Sequence, residues 1–206
     1  MKGRILIGAG ALARDLIESF GREAFAGIYV DPQYACGPVN GLPVLTSWDD
    51  VRNAASHYTL GVSDIAHRER AIGMARAEGL LPAPPMVASG AVVARDAVLE
   101  AGACIGHVSV IGPAACIGAN TLVMHGVVIG HDSMLGANSV LCAGVSLAGN
   151  VKIGARCFIG ANAMLAPRVC FGDDVYAAAA AACFRDAESG SRWIGNPARR
   201  SKTGGG

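Results

Sequence analysis

Residues 123–158 read VMHGVV IGHDSM LGANSV LCAGVS LAGNVK IGARCF, six units of six residues each. The same frame runs without gap or insertion over 16 units, from Val87 through Ala182. Its first position is bulky and apolar from Val87 through Ile105, Ile129 and Leu147 to Phe171, and Ala177 alone departs. Its fifth position is small or β-branched throughout, as at Ala103, Ser133, Val151 and Ala181. Its second position is glycine in half the units. A period of six fits neither the 3.6 of an α-helix nor the two of a strand over such a length. It is the mark of a hexapeptide β-helix.

The rest of the composition agrees with a large folded core. The chain has 206 residues, enough for one or two domains. It is 52% hydrophobic and only 16% charged. A net charge of +1 without a basic run excludes a nucleic-acid binder. The seven cysteines show no CxxC spacing, and six of them (Cys104, Cys116, Cys142, Cys157, Cys170 and Cys183) lie in or beside the repeat. There a thiol packs as a small apolar group, which fits a reducing, cytoplasmic location. Lys2 and Arg4 precede an apolar stretch ending Ala11-Leu12-Ala13, but it is glycine-broken and an amphipathic segment follows at Arg14. It is read as a buried strand and helix rather than a signal peptide. No apolar run is long enough for membrane insertion, the alanines after Tyr176 included.

Residues 1–81 have a different texture. Strands are expected at Arg4 to Ile7, Gly27 to Val30 and Thr59 to Val62. Between and after them run helical patterns from Arg14 to Phe20, from Trp48 with Ser47 as cap, and to about Glu78 with Ser63 or Asp64 as cap. Such alternation predicts a small Rossmann-like parallel sheet. Pro82-Ala83-Pro84-Pro85 reads as a linker, dividing a 1–81 domain from an 82–206 β-helix domain. Residues 185–192 read as a polar loop leaving the β-helix, and Ser201 to Gly206 as a frayed tail.

The hexad array, the Rossmann-like front domain and the terminal Gly195-Asn196-Pro197-Ala198-Arg199 together resemble the bacterial sugar acetyltransferases. Within that group the chain is most similar to the sialic-acid O-acetyltransferases and the nucleotide-aminosugar N-acetyltransferases. The most specific segments are Ile129-Gly130-His131-Asp132, Cys142-Ala143-Gly144 and Ala148 to Gly154. The resemblance implies a left-handed parallel β-helix with three hexads per coil. It also implies a homotrimer, with acetyl-CoA between neighbouring β-helices and no metal.

If three hexads make a coil, residues eighteen apart share a column. His107, His125 and His131 all occupy third positions, which lie near corners. His107 and His125 share one column, and Gly149 stands one coil above His131. The family pattern makes His131 the general base and Asp132 its supporting carboxylate. An imidazole ordinarily titrates near neutrality and suits the removal of a proton from an amine. By the same resemblance the Gly149 N–H stabilises the thioester oxyanion, and Ala161 and Ala179 contact acetyl-CoA. Lys152, Arg168, Arg199 and Arg200 are isolated charges and read as solvated surface.

Gly8-Ala9-Gly10-Ala11-Leu12-Ala13, with Asp31 about twenty residues on, is a GxGxxA fingerprint with its acidic partner. From the residues alone it binds a dinucleotide. Through the resemblance it holds a nucleotide-sugar at Gly10, Ala11, Leu12 and Asp31. The chain departs from the family at three places. Ala11-Leu12-Ala13 replaces a frequent Gly-His-Gly, Val140 replaces a second histidine, and Pro32 replaces a second acidic residue.

The expected activity is therefore direct transfer of acetyl from acetyl-CoA to an amino group of a nucleotide-linked sugar, for surface glycan synthesis. Transfer to a sugar hydroxyl is the close alternative. A metalloenzyme like the γ-class carbonic anhydrases would need three imidazoles, but that class spaces two ligands five apart and here His125 and His131 are six apart. A non-catalytic scaffold is the remaining reading.

Overall fold

The computed structural model describes residues 3–201. Lys2 and all of the expected tail beyond Ser201 lie outside the described residues. The chain divides into two compact units at Met86 and Val87.

In the first unit five strands, β1 (Gly3–Ile7), β2 (Gly27–Tyr29), β3 (Val44–Leu45), β4 (Ala55–Leu60) and β5 (Leu81–Pro82), form one parallel sheet in the order β3-β2-β1-β4-β5. Helices α1 (Ala11–Phe20), α2 (Trp48–Ala54) and α3 (Ile65–Ala77) connect them. Ile5 and Ile7 pack with Val51 of α2 and with Ala71 and Ala75 of α3. The two-residue period sends Leu6 to the opposite face, where it is fully buried too. Ser47 caps α2 by accepting from the Asp49 N–H, and Asp64 caps α3 by accepting from the His67 N–H at 2.9 Å.

Two sequence expectations change here. β4 begins at Ala55, earlier than the apolar run that starts at Thr59, because Ala55, His57 and Tyr58 already pair with β1, with Ser56 at a register shift between the first two. The Pro-rich segment is partly sheet: the Ala83 N–H bonds the Tyr58 carbonyl at 2.9 Å. Pro82 has no N–H to donate and sits on the edge strand, where none is required.

The second unit is a left-handed parallel β-helix. Each rung is a two-residue strand joining the last position of one hexad to the first of the next, as in Val128–Ile129. Pairing runs in steps of eighteen: Val110 beside Val128 and Val128 beside Ser146, Ile111 beside Ile129 and Ile129 beside Leu147. First positions fill the axis, with Ile105, Ile111, Leu141, Ile159 and Leu165 almost fully buried. Fifth positions fill the corners. There the buried Ser133 hydroxyl accepts from the Val151 N–H and donates to the Ala148 carbonyl, so a polar group bridges two coils with its bonds made.

The fourth position carries a left-handed backbone in every hexad from Val87 to Ala182 except at Asp96. Eleven of those sixteen residues are Gly, Asn or Asp, the residues that tolerate positive φ. The turn chemistry therefore lies in a position adjacent to the one that carries the histidines. Beyond Cys183 the chain does not leave the helix as a loop. Ala187 is buried in the axial core, and its N–H bonds the Cys170 carbonyl at 2.9 Å. Arg192–Ile194 pairs onto the preceding rung at Tyr176 and Ala177, then turns back to pair with Arg199–Arg200.

Candidate active site

His131 follows the rung Val128–Ile129 and stands at a corner, with its side chain more than half exposed. Asp132 takes the left-handed fourth position (φ 57°), and its N–H bonds the Pro113 carbonyl one coil below at 2.9 Å. That turn brings the Asp132 carboxylate to 2.7 Å from His131 Nδ1. With Nδ1–H donating to the carboxylate, the ring's free lone pair lies on Nε2, a tautomer assigned from the partners.

Gly149 stands one coil above. The Asn150 N–H bonds the His131 carbonyl at 2.8 Å, which fixes the register. A Cβ on Gly149 would lie 2.7 Å from His131 Cε1 and 2.9 Å from Cδ2, and nearer still to Nε2. Glycine is required here so that the imidazole edge can rest on the backbone. Third-position N–H groups point out of the prism. Elsewhere side chains take them: Glu100 accepts from Ala119 and Asp173 accepts from Ala155, both at 2.8 Å. Among the described residues none accepts the Gly149 N–H. A basic nitrogen and a free backbone donor thus adjoin at one exposed corner, the two elements that acyl transfer from a thioester needs.

Ala161 and Ala179 stand on a different corner. They continue the column of His107, His125 and Ala143, with the Ala180 N–H bonding the Ala161 carbonyl at 2.8 Å. One prism face, up to about 20 Å at the rise of an extended strand, separates that column from His131 and Gly149. A single chain does not bring the two groups together.

In the first unit a cavity of about 440 Å³ opens beyond the carboxyl ends of the strands, where open α/β sheets bind ligands. Gly10 and Asp31 line it; Ala11 and Leu12 lie in the first turn of α1 but outside its lining. Gly8 (φ 105°) makes the turn out of β1, and a Cβ there would meet Val62 Cγ1 at 2.7 Å. Asp31 is held by Arg70, whose Nη2 donates to it at 3.0 Å. Burial first, and then the Asp31 charge, push the Tyr29 phenol above its ordinary value, so it remains a donor.

Comparison with known proteins bears on the chain as a whole. Residues 108–143 match the family described as bacterial transferase hexapeptide (six repeats), and residues 150–172 match the hexapeptide repeat of succinyl-transferase. A comparison with curated protein sequences finds no match. Among solved structures, a histidine-to-asparagine mutant of perosamine N-acetyltransferase from Caulobacter crescentus, in complex with CoA and GDP-perosamine, superposes with a TM-score of 0.91. It is 28% identical, over 98% of both chains. Over 98% of its length, then, this chain is similar to a hexapeptide-repeat sugar acetyltransferase. The acetyltransferase domain of PglB from Neisseria gonorrhoeae FA1090 gives 0.85 at 25% identity, over 98% of this chain and 100% of that one. WeeI from Acinetobacter baumannii AYE gives 0.73 at 21% identity, over 98% and 100%, and shares the fold.

Further features of the chain bear on its chemistry. Burial pushes the Cys157 and Cys183 thiols up to about 11 and raises Cys142 as well, so none of these three is a ready thiolate nucleophile. Among the described residues no three His, Cys, Asp or Glu side chains meet as a metal ion would require. The sequence reading missed Tyr34, His67, Arg70 and Met74 in the cavity wall. His67 and Arg70 carried a signal, being basic and three apart on one helix face.

Proposed function

We propose that the protein transfers acetyl from acetyl-CoA directly to an amino group of a nucleotide-linked sugar. The observation that supports it most is the His131 imidazole, oriented by Asp132 and lying against Gly149 with its unused N–H. In the proposed step the sugar nitrogen attacks the thioester carbonyl carbon, and His131 Nε2 takes the proton the nitrogen sheds. The Gly149 N–H holds the developing oxyanion. The C–S bond then breaks and the imidazolium returns its proton to the departing thiolate, giving an amide and free CoA thiol. The fold supplies position and electrostatics; no covalent enzyme intermediate is required.

The protein works as a homotrimer in this proposal, because only a second copy can set an Ala161–Ala179 column against a His131–Gly149 column. An exposed apolar line along one face, Val92, Val110 and Val128, supports such association. A cytoplasmic site of action accords with seven cysteines that all carry free thiols. Among the described residues no helix is long and apolar enough to cross a membrane.

The test is incubation with acetyl-CoA and a panel of GDP-, UDP-, CMP- and dTDP-linked aminosugars, GDP-perosamine among them. Thiol release with a base-stable amide product is expected. A base-labile ester would assign the hydroxyl reaction instead, and no release with any member would sink both. The front cavity is the proposed nucleotide-sugar site, with Gly10 and Asp31 in its wall and Ala11 and Leu12 beside it in the first turn of α1. Asp31→Ala should raise KM for the nucleotide-sugar by about 10–100-fold, the loss of a charge-assisted hydrogen bond. KM for acetyl-CoA should stay within about twofold; equal rises in both would place Asp31 outside the sugar site.

A further inference from the structure

The corner column that carries Ala161 and Ala179 changes character along its length. From the C-terminal end it reads Ala179, Ala161, Ala143, then His125, His107 and Ser89. The change from alanine to histidine falls in the same coil as His131 and Asp132. His125 precedes His131 by one hexad, about a third of the ~4.8 Å coil spacing in height.

The His125 ring is also fixed in chemistry. The His107 backbone N–H donates to His125 Nδ1 at 3.2 Å, and the two rings stack with centroids 5.5 Å apart. His107 Nδ1 in turn lies 2.9 Å from the Ser89 carbonyl, which accepts from it. With its Nδ1 lone pair occupied, a neutral His125 carries its ring proton on Nε2. It presents an N–H donor, where His131 presents a lone pair. Two imidazoles at one height therefore offer opposite functions, and the second has no part in the transfer described above.

We propose that His125 of a neighbouring copy is a substrate-binding residue that donates its Nε2–H to an oxygen of the acceptor sugar. A closed assembly with its axis along the prism keeps heights equal, so the His125 corner of one copy meets the His131 corner of the next at the level of the reacting atoms. Above it the alanines leave room for the thioester arm. Below the arm, the His125 N–H faces the sugar ring that bears the amine. A donor there requires an acceptor oxygen, so the preferred substrate is an aminosugar that keeps a hydroxyl beside its amine. The assignment rests on the acetyltransferase reading and on the trimer.

The experiment uses the aminosugar nucleotide that the wild-type protein turns over fastest. His125→Ala is structurally safe, because alanine already fills this corner at 143, 161 and 179. It should raise KM for the sugar nucleotide about tenfold, the cost of one neutral hydrogen bond, with KM for acetyl-CoA within about twofold. His125→Gln, whose amide can supply a donor at similar reach, should recover most of the loss. Copies carrying His131→Asn are then co-assembled with copies carrying His125→Ala. A low-KM component should reappear, because a site built from the intact His131 of one copy and the intact His125 of the other is wild-type. An unchanged sugar KM in His125→Ala, or no low-KM component on mixing, overturns the proposal alone. A wild-type protein without acetyl transfer, or a fully active His131→Asn, overturns the underlying reading as well.

Discussion

His131→Asn should lower kcat by about 10²–10⁴-fold, the usual worth of a positioned general base, with the thermal transition unchanged. The side chain is 59% exposed and fills no part of the core, so its removal costs the fold little. KM for acetyl-CoA should stay near its wild-type value, because the backbone groups proposed to hold it, at Gly149, Ala161 and Ala179, remain. Asp132→Asn makes a matched control. Asparagine already occupies the same left-handed turn position at Asn120, Asn138, Asn150 and Asn162, so the turn survives the change. What it removes is the charge beside His131 Nδ1, which stabilises the imidazolium and fixes the tautomer. A smaller loss in kcat than that of His131→Asn, with unaltered stability, is expected. Steady-state rates with both substrates varied decide the matter. Full activity in His131→Asn would remove the histidine from the mechanism.

The parts of this molecule that were legible in the sequence are those governed by its period. Counting in eighteens put Gly149 over His131 and stacked His107 on His125, and the rung register and ring contacts agree. The period also marks its own corners, yet the fourth-position enrichment in Gly, Asn and Asp is easily passed over beside the stronger apolar signal. It matters for chemistry, because Asp132 is both a turn residue and the partner of His131. Where the period stops, reading by hydropathy fails. Residues 184–191 are mostly polar, and yet Ala187 enters the axial core because the exposed edge of the last full coil offers unpaired carbonyls and N–H groups to it. In the front unit the fingerprint glycines and Asp31 were readable from local turn geometry. The pairing of Arg70 with Asp31 was not, because their approach across 39 residues is a product of the sheet order. The separation of Ala161 and Ala179 from His131 is likewise a property of the prism. Residues that one motif reading groups together thus stand on two corners of the chain.

Gly149→Ala should depress kcat by about 10²-fold or more, in the range of displacing a general base, although it adds one methyl and deletes nothing. The backbone accepts alanine: Gly149 has no positive φ, and alanine occupies the third position at Ala143 and Ala161. The neighbour that must move is the His131 ring, whose Cε1 and Cδ2 lie 2.7 and 2.9 Å from the new carbon. At Gly136 the same methyl would strike the backbone of Gly154 and Ala155, and the fold itself would bear the strain. At Gly149 it strikes an exposed side chain that can swing aside, so unfolding free energy should change by no more than about 0.5 kcal/mol. The swing carries Nε2 away from the position from which it would reach an amine. Because the effect runs through that one ring, the losses cannot add. The double variant His131→Asn with Gly149→Ala should be nearly as active as His131→Asn alone, as expected of groups acting as a unit. Multiplicative losses would mean that the glycine acts on its own, through the thioester rather than through the imidazole. Undiminished kcat in Gly149→Ala would mean that the imidazole does not work from the place where it rests.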